Sequence, residues 1–597
     1  LPEFSLPALY EVPADGNLTD LVSRNAARHP RTPVIARKRA DRWEDVTAED
    51  FLTEVRETAK GLLAAGVGPG DRVGLMSRSR YEWTLFDFAV WAAGGVTVPV
   101  FETSSPEEIA WVLGDSGAVG CVVETAEHEA AVEAVRDRLP LLDGVWRIEQ
   151  DAVWRLRQEG TRVSDAELDQ RSAVATADSP ASIVYTSGTT GRPKGCVLTH
   201  RNFLAECGNA VERLQPLFRT GEGSVLLSLP PAHVFGRLFA VASVLAPIKL
   251  GHVGTPEELP AELPAFRPTV LLGVPQVFER LYNTARANAR AAGRGRLFDR
   301  AAEAAIAYSR ALDTSDGPSR GLRLRHRLYD RLVFRELRRG LGGRARHAVC
   351  GGSALGERLG HFFRGVGCPV LEGYGLTESC AATAFNPYDR QKIGTAGQPL
   401  PGSVLRIADD GEVLLHGEHL FAGYWKDDAA TAVALSDGWF HTGDLGALDE
   451  AGYLTISGRK SEVITTADGM RTVPSALEGR IRAHELVGEC VVVGEGRPFL
   501  GALITLDEEF VSRWTTGRRG SARPPAGDPR NDPELLAAVQ QAVDEGNAAV
   551  GAAAGVRRFR VLASRLSQEA GHLTPTLVVK RAAVMKDFAH EIEALYR

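Results

Sequence analysis

The run Tyr185–Gly195, YTSGTTGRPKG, constrains the fold more than any other stretch of this 597-residue chain. Gly188, Gly191 and Gly195 let backbone N–H groups come close to phosphate oxygens. Thr186, Ser187, Thr189 and Thr190 supply hydroxyl donors or magnesium ligands, and Lys194 adds a point charge. Such a loop wraps a polyphosphate. The apolar run SIVYT before it reads as a buried strand, and LTHRNFLAEC after it as the start of a helix. It is not a Walker A loop, because Gly191 is followed by Arg192 and Pro193 where that motif needs Lys and then Ser or Thr. A Gly/Ser/Thr linker would have neither the flanking strand nor the Pro193-Lys194-Gly195 ending.

A strand feeding a phosphate loop belongs in an α/β architecture, and the rest of the chain reads that way. RVGLMS, VTVPV, GCVVET, SIVYT, SVLLSL, TVLLGV and HAVCGG alternate with helical patterns such as WTLFDFAVWAAG. This predicts mostly parallel sheets layered with helices. From GEVLLHG onward the strands shorten and the turns carry Asp-Gly and Glu-Gly, which predicts a small barrel-like region closing a large domain. The length is too great for one core, so a large domain over 1–458 and a small α+β lid over 459–597 are expected, with 513–533 an exposed loop inside the lid.

Further blocks follow in order: LPPAHVFGR (229–237), CGGSAL (350–355), LEGYGLTES (371–379), GEVLLHGEHLFAGYWKD (411–427), WFHTGDLG (439–446), YLTISGRKSEVITT (453–466) and LTPTLVVKR (573–581). Together with the phosphate loop they resemble the adenylate-forming superfamily of acyl-CoA synthetases, adenylation domains and luciferase relatives. The resemblance covers the chain from about residue 180 to its end and is nearest to bacterial long-chain fatty acyl-CoA synthetases. It implies an AMP-forming ligase that uses ATP and Mg²⁺ to activate an oxyanion, with CoA as the expected co-substrate.

The resemblance also implies roles. Thr186 and Glu378 would hold the magnesium, an all-oxygen arrangement, while Ser187, Gly188, Thr189, Thr190, Gly191 and Lys194 cradle the phosphates. Gly351, Gly352, Ser353, Glu372, Gly373, Tyr374, Gly375 and Thr377 would form the adenine pocket. Asp444 would accept the ribose hydroxyls beside Arg459. His233 would lie near the substrate carboxylate, and Lys580 near the reacting phosphate. The apolar Phe235, Phe239, Val274 and Phe278 suit an acyl or aryl wall and suit a closed core equally. Glu378 beside Thr377 could instead be a helix-capping carboxylate.

Two departures stand against the matches. Related synthetases have a lysine where this chain has Val578, and Ser461 stands where long-chain synthetases have a lysine at the hinge; ADGMRTVP (467–474) is also divergent. Valine cannot neutralise a developing oxyanion, so Lys580 would have to compensate. In an extended strand it would lie about 6–7 Å along on the same side as Val578. Three readings remain open here: a fatty or aryl acyl-CoA synthetase; a diverged enzyme such as a diazotase activating nitrite for an aromatic amine acceptor; and a non-catalytic nucleotide-binding module.

A net charge of −7 argues against nucleic acid as a partner. Seven cysteines without CxxC spacing point to buried reduced thiols, and the N-terminal residues show no signal-peptide pattern, so a cytoplasmic protein is expected. The apolar stretches 83–101 and 225–248 are interrupted by Asp87, and by paired prolines, His233 and Arg237, which argues against membrane spans. Residues 280–346 are dense in arginine with apolar residues at helical spacing, a face that could rest on an anionic membrane, although solvated helices commonly look the same. No pattern distinguishes a self-association surface.

Overall fold

The computed structural model describes residues 2–186, 192–484, 486–508, 511, 528–548 and 555–597. A seven-stranded sheet runs in the order Gly423–Tyr424, Lys194–Thr199, Pro180–Thr186, Val96–Val100, Arg72–Met76, Ala118–Val123, Gly144–Arg147. Its last five strands are parallel, and the first two add antiparallel at one edge. A nine-stranded sheet has a parallel centre from Val370–Tyr374 through His347–Cys350, Val270–Gly273, Ser224–Leu227 and Lys249–His252 to Pro33–Arg39. Short antiparallel strands flank it at both ends.

Apart from Glu82, every residue of the helices Tyr81–Ala92 and Val234–Leu245 is buried. The first packs on strands of both sheets. Apart from Glu82, Thr84 and Asp87 in the first and Arg237 and Ser243 in the second, both are apolar, as a layer between two sheets requires. The two stretches weighed as membrane spans are therefore each a buried helix joined to a short strand, and no helix among the described residues is long and apolar enough to cross a membrane.

The region expected to be barrel-like is an open sheet. Its order is Glu3–Ser5, Ser403–Ile407, Glu412–Gly417, Trp439–Leu448, Leu435–Ser436, with Leu454–Arg459 also pairing Trp439–Leu448. Two-residue strands such as Leu435–Ser436 are too short to carry the stagger that closure needs.

The chain divides into two compact units, one comprising 1–406, 414–442 and 448–454, the other 407–413, 443–447 and 455–597. In the second, strands Val487–Val493, Leu500–Leu506 and Val556–Val561 form a sheet whose side chains alternate between two cores. Cys490, Val492, Ala502 and Ile504 face helices Pro474–Arg482 and Pro533–Asn547, whereas Val491, Val493 and Leu503 face helices Arg581–Asp587 and Ala589–Leu595. Of the loop expected over 513–533, residues 513–527 lie outside the described residues. All seven cysteines are buried and free.

Candidate active site

The phosphate motif is the hairpin between Pro180–Thr186 and Lys194–Thr199, with Thr186 opposite Lys194. Ser187, Gly188, Thr189, Thr190 and Gly191 lie outside the described residues. The root is anchored on both sides. Tyr185 donates to Asp115 Oδ2 at 2.6 Å, Trp111 Nε1 to the Pro193 carbonyl at 2.8 Å, and the Trp425 amide to the Gly195 carbonyl at 2.7 Å. These contacts fix where the strands end, and so where the tip begins.

Glu378 lies in a short 3₁₀ turn, Thr377–Ser379. The Ser379 hydroxyl, not the Glu378 carboxylate, accepts the Leu376 amide that opens this turn. Glu378 Oε1 instead accepts the Tyr424 hydroxyl at 2.8 Å, and the Lys194 ammonium sits 5.1 Å from the centre of the same tyrosine ring. Among the described residues Lys194 has one ion-pair neighbour, Asp427 at 4.0 Å, and its side chain is 46% exposed. The buried Cys196 thiol lies near Thr186 and Glu378. Burial first, and then Glu378, pushes this thiol's pKa up, so it stays protonated and is no thiolate ligand. A hydroxyl and a carboxylate gathered around one thiol form a hard oxygen donor set, which fits magnesium and not a soft metal. Among the described residues no group of three His, Cys, Asp or Glu side chains is placed to hold a metal.

Gly351, Gly352 and Ser353 follow strand His347–Cys350, and the Phe235 ring lies against Gly351. Glu372 joins this turn to the next strand: its carboxylate accepts the Leu355 amide at 2.8 Å. Burial pushes its carboxyl up to about 7, with no cation beside it among the described residues. Gly373 and Tyr374 end strand Val370–Tyr374, the Tyr374 carbonyl accepting the Thr383 amide at 2.7 Å. At Gly375 a Cβ would come within 1.5 Å of the Ala381 carbonyl oxygen, so the turn that presents Thr377 and Glu378 requires glycine there. The two segments expected to flank adenine are thus tied together by Glu372.

His233 is the N-cap of helix Val234–Leu245, its Nδ1 accepting the Phe235 amide at 3.3 Å. It is packed densely by protein while keeping part of its surface open, and that packing pushes its pKa down to about 4, so the ring is neutral. One turn on, Arg237 is fully buried. It donates to Asp87 at 2.8 and 2.6 Å, to Ser182 at 2.6 Å and to Thr97, with Trp83, Trp91 and Phe203 rings around it at 5.3–5.4 Å. Of the four apolar residues considered for a substrate wall, Phe235 and Val274 border Gly351 and Gly352. Phe278 is enclosed against Phe363, and Phe239 packs on Phe235 and Phe218.

The second unit holds the other expected residues. Arg459 Nε is 3.3 Å from Asp444 Oδ1, and Asp444 is buried. Beside them the Gly443 amide donates to Glu412 at 2.8 Å, and Lys460 pairs with Glu412 at 3.2 Å and with Asp410. Ser461 is exposed in the 3₁₀ turn Lys460–Glu462. In the last block a tight turn brings Leu573 opposite Val579, so Val578 and Lys580 flank that bridge. Val578 is exposed; Lys580 caps helix Arg581–Asp587.

Residues 22–425 match the AMP-binding enzyme family, and residues 461–597 match the AMP-binding enzyme C-terminal domain. The chain belongs to the AMP-binding enzyme family. It is similar to the long-chain-fatty-acid–CoA ligase FadD15 of Mycobacterium bovis, 45% identical over 597 residues that span 100% of this chain and 99% of the relative. The protein of the same name from Mycobacterium tuberculosis is 44% identical over the same shares. Among solved structures, an anthranilate CoA ligase, AuaEII, in complex with anthranoyl-AMP aligns at TM-score 0.71 and 19% identity, covering 98% of this chain and 99% of that one. An o-succinylbenzoate CoA synthetase from Bacillus subtilis in complex with ATP and magnesium aligns at TM-score 0.67 and 19% identity, covering 94% and 98%. These two show the shared fold.

The chain is an AMP-forming ligase, and its structure pairs residues that motif reading passed over. Tyr424 joins Lys194 to Glu378, and its position inside GYWKD, next to Trp425, was the available signal. Asp87 and Arg237 read as two separate interruptions of apolar runs; they are each other's partners.

Proposed function

We propose that this enzyme joins a fatty or aryl carboxylic acid to CoA through an acyl-adenylate. The carboxylate oxygen attacks the α-phosphorus of ATP, the bond to the bridging β-phosphate oxygen breaks, and pyrophosphate leaves. The CoA sulfur then attacks the acyl carbon and AMP leaves. Support comes chiefly from the arrangement at the hairpin root, where Lys194, Tyr424, Glu378 and Thr186 meet around Cys196. Lys194 is held by a distant carboxylate and an aromatic face, so it can exchange both for phosphate oxygens. Thr186 and Glu378 are proposed to hold Mg²⁺, which neutralises charge on the phosphate oxygens. The neutral His233 ring can donate or accept a hydrogen bond without repelling or trapping a carboxylate. Gly351–Ser353 and Glu372–Gly375 are assigned to adenine, Asp444 and Arg459 to ribose, and Lys580 to the α-phosphate. The large domain is taken as 1–458, the lid as 459–597, and the location as cytoplasmic.

The test is ATP–pyrophosphate exchange with fatty acids of increasing length, aryl acids and nitrite, followed by AMP release on adding CoA or an aromatic amine. Exchange with a fatty or aryl acid and AMP release on adding CoA are expected. Exchange driven by nitrite alone, with AMP released by the amine, would replace the acyl reading. Lys580→Ala should abolish exchange if Lys580 carries the charge missing at Val578; unchanged exchange removes it from the site.

A further inference from the structure

Residues 320–340 form one continuous rod, made of helix Arg320–Tyr329, a π-helical turn Asp330–Phe334 and helix Arg335–Gly340. Its inner face is accounted for, since Phe334 is buried and Tyr329, Val333 and Leu337 pack on the core beside it. Its outer face is not that of an ordinary surface helix. Leu324, Leu328 and Leu332 recur one turn apart and are 70%, 54% and 46% exposed. Arginines crowd the same face: positions 320–339 carry eight against two carboxylates, Asp330 and Glu336, in a chain of net charge −7. Asp330 is occupied by Arg335 and Arg338. Arg320, Arg323, Arg325, Arg327, Arg331 and Arg339 form no ion pair within 4.0 Å among the described residues. A cleft of about 240 Å³ opens beside the rod, lined by Arg323, Arg327 and His326 with Leu312 and Pro318 at its rim. His326 is fixed there by stacking on Tyr308, ring centres 3.9 Å apart, and by its Nε2 contact of 2.6 Å to the Gly365 carbonyl.

We propose that this rod docks on an anionic phospholipid bilayer. Leu324, Leu328 and Leu332 enter the boundary between headgroups and acyl chains, the arginines flank them at headgroup level, and Arg323 and Arg327 grip a headgroup phosphate at the cleft. Charge complementarity selects an anionic partner. The leucines select a bilayer over a nucleic acid or an acidic protein surface, because three apolar side chains at the centre of a cationic face gain nothing from a phosphodiester groove, whereas an interfacial helix needs both. This surface lies outside the proposed reaction machinery and does not depend on the acyl reading.

Flotation of the full chain with large vesicles tests this directly, comparing phosphatidylcholine alone with phosphatidylcholine containing phosphatidylglycerol. Binding to the phosphatidylglycerol vesicles is expected to exceed binding to the neutral ones by about tenfold or more and to fall as salt rises. Leu324→Gln/Leu328→Gln/Leu332→Gln should lose about tenfold of that binding, and so should Arg323→Gln/Arg327→Gln, while both keep vesicle-free ATP–pyrophosphate exchange. Equal binding to both vesicle types overturns the proposal, as does full binding by the leucine variant. A sedimentation-velocity dimer that the leucine variant abolishes would likewise overturn it, making the face a self-association surface.

Discussion

Strand Pro180–Thr186 serves two cations that the protein treats in opposite ways. Near its start, Ser182 helps enclose Arg237, which has no exposed surface and is saturated by Asp87, Thr97 and Ser182. At its end, Thr186 stands opposite Lys194, which is about half exposed and has Asp427 at 4.0 Å as its ion-pair neighbour. Desolvating an arginine is tolerable when two carboxylate oxygens and two hydroxyls replace its water, and the result is a rigid joint. A cation left with a distant partner adds little to stability and remains available to an incoming anion. The same strand therefore borders one cation that the protein satisfies internally and one that it leaves available, the second being the cation proposed to meet phosphate.

The largest effect is expected from breaking the saturated pair. Arg237→Met would leave Asp87 buried without its counter-ion, although burial already pulls that carboxyl's pKa up against the guanidinium's pull down. A loss of about 3–5 kcal/mol is expected in urea unfolding. Adding Asp87→Leu should recover most of it, because no buried charge is then unpaired. The folded fraction should keep its ATP–pyrophosphate exchange; a stable variant without exchange would place Arg237 on the functional side of the comparison.

Glu378→Ala acts on the other side. It should lower kcat about a hundredfold or more, on the order of 3 kcal/mol of transition-state stabilisation, while ATP binding weakens much less and the unfolding midpoint barely moves. Full turnover in this variant would remove Glu378 from the proposed magnesium pair.

Glu372 shows a third way to bury a charged group. With the Leu355 amide as its partner and no cation beside it among the described residues, the carboxyl keeps its proton up to near neutral pH, its pKa pushed up to about 7 from 4.5. The folded protein holds this proton more tightly than the unfolded chain does. The group's contribution is therefore complete below about pH 4.5 and is lost as pH rises through about 7. Relative to Glu372→Gln, which cannot ionise, the wild type should lose up to about 3 kcal/mol of unfolding free energy across that window. A pH-independent difference would mean that the carboxylate is ionised in the fold.

Asp444→Ala should weaken ATP binding by about 1.5–3 kcal/mol and leave the acid's affinity nearly unchanged. Arg459 at 3.3 Å places this carboxylate between the saturated pair and the loosely held lysine. An unchanged KM for ATP would return Asp444 to an ordinary turn residue.

What the sequence made legible follows the range of the interactions. The parallel strands, the hairpin flanking the phosphate loop and the expected site positions sit in local patterns, and the structure brings Thr186, Lys194 and Glu378 to one place. Contacts between distant segments left no local mark. Glu3–Ser5 pairs with strand Ser403–Ile407, Tyr185 finds Asp115, and Asp87 finds Arg237. Periodicity cannot encode such partners, because each half has a sufficient local reading of its own. The barrel-like expectation failed for a related reason: short strands with frequent turns describe an open sheet as well as a closed one.

Tyr424 is the smallest lever and the most discriminating one. Its hydroxyl donates to Glu378 while its ring lies under Lys194, and burial together with that carboxylate keeps the phenol protonated. Tyr424→Phe removes the donor and keeps the ring. If the hydroxyl only orients Glu378, kcat should fall about three- to tenfold, roughly 1 kcal/mol, with KM for ATP and the unfolding midpoint little changed. If the root of the hairpin is instead a saturated joint like that around Arg237, the carboxylate loses a partner it needs for folding, and stability should fall with no selective loss of kcat. Measuring both on one variant decides whether Lys194, Tyr424 and Glu378 form a site held open for a ligand or a second structural knot.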